Sequence, residues 1–123
     1  MIEGRRERGL KTLGDVYAVD LGITGEQGPF EELTVDHLFA DVWNRPGLDI
    51  GERRLLIIGV IAALGRDDLA ELQFFSALER EELTPAQVEE AVLHLTHYVG
   101  WPLGSGLNRA AQRAIARHRD GDG

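Results

Sequence analysis

Ten consecutive residues, Leu55 to Leu64, carry no charge and, Gly59 apart, only apolar side chains. A run of that kind has to leave water, and it falls far short of the roughly 20 residues that cross a bilayer. Protein must therefore cover it, either as a buried strand or as a helix that is apolar on every side. Its borders favour the helix. Asp49 and Glu52 are spaced to cap the first backbone N–H groups reciprocally, and Gly65 stops the pattern. The expectation is a central helix enclosed by others, in a chain of 123 residues, the length of one domain, that can gain further cover by association.

The rest of the pattern is helical too. Leu10, Leu13, Val16, Tyr17 and Leu21 recur at helical spacing from Arg6 to Leu21, interrupted by Gly9 and Gly14. Residues Gly22 to Pro29 read as a loop, Leu33 to Trp43 as a second helix, and Asn44-Arg45-Pro46-Gly47 as a turn. After the apolar run, Asp67 or Asp68 is expected to cap a helix that carries Leu69, Leu72, Phe75 and Leu78. Thr84-Pro85-Ala86-Gln87 is the clearest start signal: Thr84 can accept from the third backbone N–H, Gln87 can reach back, and Pro85 loses no donor at the first position. That helix runs to Val99 and ends at Gly100. Trp101-Pro102 turns the chain, and Leu103 to His118 forms a last helix before a frayed tail at residues 119–123. Ile2-Glu3-Gly4-Arg5 matches a protease-cleavage sequence, so residues 1–5 stay outside the functional argument. With no period-two strand and no repeat, residues 1–123 read as one all-α domain of five to six helices.

Composition narrows the function. Thirteen Lys and Arg against 21 Asp and Glu give a net charge of −8, which opposes binding to nucleic acid or to an anionic membrane. The absence of cysteine removes disulfides, thiolate metal sites and thiol nucleophiles. With neither a spanning run nor a secretory leader, a cytoplasmic protein is expected.

Three features could carry chemistry. On the Thr84 helix, Glu90, His94 and His97 fall within roughly 60° of one another, opposite a stripe of Val88, Val92, Leu95 and Val99. A carboxylate that orients an imidazole is a general acid–base arrangement near neutral pH; the same spacing also suits a solvated face, or a metal site given further donors. Arg53 and Arg54 lie in the first turns of the apolar helix, where positive charge opposes the macrodipole. An anionic substrate group, or an ion pair with Asp49, Glu52 or another helix, would compensate. Gln73 is a polar residue among Leu72, Phe74 and Phe75, either buried and hydrogen-bonded or on an outer edge.

Several segments in order carry a family resemblance: Trp43-Asn44-Arg45-Pro46-Gly47-Leu48, Arg53 with Leu55 through Arg66, Ala77-Leu78, and Thr84-Pro85 through Glu90 to Tyr98-Val99-Gly100-Trp101-Pro102. Together they resemble the carboxymuconolactone decarboxylase family, within the alkylhydroperoxidase-like superfamily of small helical proteins. The Arg8-Gly9 helix fits its longer decarboxylase members. The resemblance implies an alkylhydroperoxidase-like helical fold and a ring-like homo-oligomer, a hexamer or trimer. It also implies a lyase that removes a carboxylate from a small carboxylated lactone or β-oxo acid in aromatic-compound breakdown, without a cofactor.

Carried over position by position, the resemblance makes Arg53 the group that holds the anionic substrate and Glu90 the family's acidic helix residue. Gln73 stands where the family's decarboxylases usually have a histidine, and glutamine cannot donate a proton at neutral pH. His94, supported by Glu90, is the expected replacement acid–base group. Gln73, His97, Tyr98 and Trp101 are the expected substrate contacts, and no metal ligand set is expected. The turn Glu79-Arg80-Glu81-Glu82 is one residue longer than the family's glycine-containing turn. The superfamily's peroxidases need paired cysteines, so peroxidase activity is excluded. A related isomerase or ring-opening enzyme, or a catalytically silent oligomeric binding protein, are the alternatives.

Overall fold

The structure, a computed structural model, describes residues 2–121. Among them there are six helices and no strand: α1 (Ile2–Val16), α2 (Pro29–Leu33) running on into a π-helical stretch (Thr34–Val42), α3 (Ile50–Leu64), α4 (Asp67–Glu79), α5 (Pro85–Val99) and α6 (Trp101–Arg119). They form two compact units, Met1–Arg53 and Arg54–Gly123, with the boundary inside α3. The last two residues of the expected frayed tail lie outside the described residues.

In the first unit, α1 packs along the π-helical stretch around buried Leu13, Val16, Val35, Phe39 and Trp43. The Phe39 and Trp43 rings stack with centroids 5.5 Å apart. Gly9 permits the approach, since a Cβ there would overlap the Val35 carbonyl. The second helix starts four residues earlier than its apolar pattern suggests, with Pro29 at its first position, where a missing N–H costs nothing. Its second half is π-helical, as in the bond from Trp43 N–H to the Leu38 carbonyl. Nine residues of apolar spacing cannot distinguish that winding from an α-helix. The Asn44 amide and the Arg8 Nε–H donate to carbonyls of this stretch at Phe39 and Ala40. Toward Leu21, α1 is shorter than expected. In the loop that follows, the Asp20 carboxylate accepts from the Gly22 N–H.

Ion pairs line the same contact. Arg6 binds Asp36 through Nε and Nη2 at 2.7 and 2.8 Å, while Arg5 and Arg8 converge on Asp41. The hydrogen bond from Arg6 holds the Asp36 carboxyl below its ordinary range, and that from Arg8 does the same for Asp41.

The second unit has its core where α4 and α5 meet α6: Phe74, Phe75, Leu78, Val88, Leu107 and Ala111 are all fully buried or nearly so. Glu71–Arg113 and Glu79–His118 pairs fasten α4 to α6, and the Arg117 guanidinium lies 4.1 Å over the Phe75 ring. Gly104 lets α6 close on α5, because a Cβ would overlap the Thr96 side chain. Two local expectations are corrected. Neither Asp67 nor Asp68 is the cap of α4: Arg66 holds that position without a side-chain bond, and Asp68 pairs with the Arg66 guanidinium instead. Trp101-Pro102 does not form a turn but opens α6, since Pro is tolerated in a first helical turn; Gly100, at φ 96°, makes the bend alone.

The apolar helix departs furthest from expectation. The Asp49–Glu52 cap forms in both directions, at 2.9 and 2.7 Å. Yet α3 is not enclosed: Leu56, Val60 and Leu64 are 62%, 59% and 69% exposed, while Ile58, Ile61 and Ala62 are buried. Cover is complete on one side of the helix and missing on the other.

The carboxylates of the first unit give a pH test. A group whose folded pKa lies below its unfolded value stabilises the fold above the unfolded value, and that contribution is lost as pH falls through the folded one. Replacing Asp36 and Asp41 by Asn should lower stability at neutral pH and flatten its decline on acidification. Denaturant titrations across the acid range check this, and a slope equal to the parent's would refute it.

Candidate functional site

The Thr84–Gln87 cap forms as expected: Gln87 N–H donates to Thr84 Oγ1 at 3.2 Å and Thr84 N–H to Gln87 Oε1 at 2.9 Å, with Pro85 at the first position. From that start α5 buries Val88, Val92 and Thr96 and turns another face outward. Gln87, Glu90, Ala91, His94 and Leu95 follow one another along that face at helical spacing and line a cavity of about 440 Å³. Leu55 and Ile58 of α3 form the opposite wall, and Leu83, the last residue but one before α5, closes an end. The depression is open to solvent: its apolar side chains come from Leu55, Ile58, Leu83 and Leu95, and the Gln87 amide, Glu90 carboxylate and His94 imidazole stand exposed on one helix. The Tyr98 ring lies tilted against His94, its centroid 5.2 Å away.

The other expected site residues are placed elsewhere. His97 belongs to a neighbouring face: its Nδ1 is 2.7 Å from the Leu93 carbonyl, and its ring meets the edge of Trp101. Trp101 borders a separate depression of about 330 Å³ between α5 and α6, with Thr96, Ser105 and Asn108. In the first unit, Arg53 donates from Nε and Nη2 to the Leu48 and Arg45 carbonyls, which holds the turn before α3. Gln73 is buried, 3% exposed, and its Oε1 accepts from Arg54 Nη1 at 2.9 Å. Among the described residues no three His, Asp or Glu side chains group together in the way a metal ion requires.

Of the arginine doublet, it is Arg54 that turns inward. This guanidinium is 1% exposed, and Glu82 holds it through two bonds, Nε to Oε1 at 2.6 Å and Nη2 to Oε2 at 3.0 Å. The ion pair considered for the arginine doublet therefore exists, on Arg54, with a partner in the acidic Glu79-to-Glu82 turn. The signal was a charge that the helix dipole disfavours; what the sequence did not show was which of two neighbouring arginines turns inward. Leu83 and Gln87 were missed as cavity residues, since each had a sufficient local role next to or within the cap.

The sequence profile of the carboxymuconolactone decarboxylase family matches residues 28–116. Over 86 residues, 70% of the chain, it is 30% identical to a protein of Acinetobacter baylyi named 4-carboxymuconolactone decarboxylase. Over 75 residues, 60% of the chain, it is 36% identical to a protein of Metarhizium robertsii named nitrosuccinic acid decarboxylase. These matches span 63% and 51% of the two relatives' own lengths. No solved structure matches the chain.

Because a carbonyl can only accept, the neutral His97 ring should carry its proton on Nδ1. Nitrogen-15 NMR of the imidazoles distinguishes the tautomers, and an Nε2-protonated neutral His97 would contradict the geometry.

Proposed function

We propose a decarboxylase function from one premise: the chain belongs to the carboxymuconolactone decarboxylase family. The substrate is a small carboxylic acid in which a carbonyl or nitro group lies close enough to the departing carboxylate to take up its electron pair. The carbon–carboxylate bond breaks, carbon dioxide leaves, the pair passes into the neighbouring acceptor, and a proton is then delivered to carbon. The observation that carries this reading is the position of His94, with Glu90 one turn before it, on the polar side of that depression. His94 supplies the proton to carbon, and Glu90 supports the imidazole while it is charged.

The names of the two relatives suggest the compounds to try first, 4-carboxymuconolactone and nitrosuccinic acid, which both fit that description. Arg53 does not line that cavity, and the anion-binding role proposed for it rests on the family resemblance. Two of its N–H groups bond backbone carbonyls, and a guanidinium has five such donors. Neither a metal nor an organic cofactor enters this scheme, because the electron sink belongs to the substrate.

Assembly belongs to the same reading. The exposed apolar side of α3, with Leu56, Val60 and Leu64, supports a trimer or hexamer of this chain in which neighbouring copies cover one another. Light scattering at micromolar concentration should return a multiple of 13.6 kDa, and a monomer mass would remove this part of the proposal.

Carbon dioxide release from the two acids tests the activity. With the substrate that turns over, His94→Ala should lower kcat by roughly 10²–10⁴-fold, with KM changed less. Arg53→Ala should raise KM, and exhaustive chelation should leave turnover intact. Full kcat in His94→Ala would reject the assigned acid–base group. No carbon dioxide from either acid, in a well-folded oligomer, would favour the silent binding protein.

A further inference from the structure

We infer that Arg54, Glu82 and Gln73 form a positioning clamp that keeps the two walls of the His94 cavity in register and so sets the width available to the substrate. The inference rests on the reading of that cavity as the reaction site. Arg54 directly precedes Leu55, which lines the cavity from α3, and Glu82 directly precedes Leu83, which lines it from the turn before α5. The two bonds between Arg54 and Glu82 therefore tie one wall to the other immediately behind the side chains that face the chamber. Gln73 adds a third anchor from α4, accepting from the remaining terminal nitrogen, Nη1, at 2.9 Å.

Stability alone is a poor reason for this arrangement. Burying the Arg54 guanidinium and half-burying the Glu82 carboxylate costs much of what their attraction returns, and apolar side chains of similar size often serve a core as well or better. The backbone also adopts an unfavourable shape next to the pair. The α4 helix ends with Glu82 N–H bonded to the Ala77 carbonyl and Glu81 N–H to the Leu78 carbonyl, which demands a left-handed residue at position 81. Glycine is the usual occupant, yet Glu81 takes φ 57° there. A helix end that keeps a strained residue and directs the next carboxylate into a buried cation is organised around direction. Bidentate pairing supplies direction, since planar guanidinium and carboxylate fix both distance and angle.

The test replaces all three polar groups together, Arg54→Met, Gln73→Leu and Glu82→Leu, so that no buried charge or amide is left unpartnered. Stability to denaturant should be equal to the parent's or higher. Crystal structures of parent and variant should show Leu83 displaced from Leu55 and Ile58 by about 1 Å or more, and kcat/KM should fall about 10–100-fold with a share of the loss in KM. A merely structural role would leave kcat/KM unchanged in a variant of full stability. Superimposable walls overturn the clamp, and displaced walls with parental kcat/KM overturn its control of the substrate. Should the parent decarboxylate neither acid, the proposed function fails, while the wall positions still decide the clamp. If the triple variant does not fold, Glu82→Gln keeps the shape, cancels the charge and takes the same two measurements.

Discussion

A guanidinium withdrawn from water has to find all its partners inside the protein, and Arg54 finds them on two other elements of its unit. That requirement joins α3, the buried middle of α4 and the turn leading into α5 at one point. The cavity beside His94 lies directly next to this junction, so its shape depends on a charge that never reaches it. An apolar residue at position 54 would be compatible with the same helices, but nothing would dictate the angle at which Leu55 and Leu83 face each other.

The first unit reaches order by a different balance. Its helices meet closely at Gly9, but many of the named contacts between them are ionic, from Arg5, Arg6 and Arg8 to Asp36 and Asp41. These groups keep some exposure, so each pair contributes modestly and responds to pH and salt. The second unit buries aromatic and small side chains, Phe74, Phe75, Ala110 and Ala114, and adds the Glu71–Arg113 and Glu79–His118 pairs and the Arg54 junction.

Much of this was legible in order along the chain. The reciprocal caps at Asp49–Glu52 and Thr84–Gln87, the stop at Gly100 and the polar face carrying Glu90 and His94 all follow from interactions within a few residues. Where reading failed, the deciding partner was distant or the winding unusual. Gln73 was visible as an anomaly, but its role depends on a cation 19 positions earlier. The π-helical stretch shares its apolar residues with an ordinary helix and differs in reaching five residues back for its backbone bonds, as from Trp43 N–H to the Leu38 carbonyl.

By itself the sequence determined that the chain is all-α, where α3 and α5 begin, and that it is a cysteine-free member of a decarboxylase family. Capping, helical period and composition act over one or two turns and are complete in the sequence. Only the tertiary structure decided that Arg54 rather than Arg53 turns inward, that His97 and Trp101 face away from the chamber of His94, and that one side of the apolar helix stays uncovered. Adjacent helical residues differ by about 100° in direction, and which direction is the interior depends on what packs there. The same apolar run satisfies a helix that is enclosed and one that is half open, because hydrophobicity states a need for cover without naming what provides it.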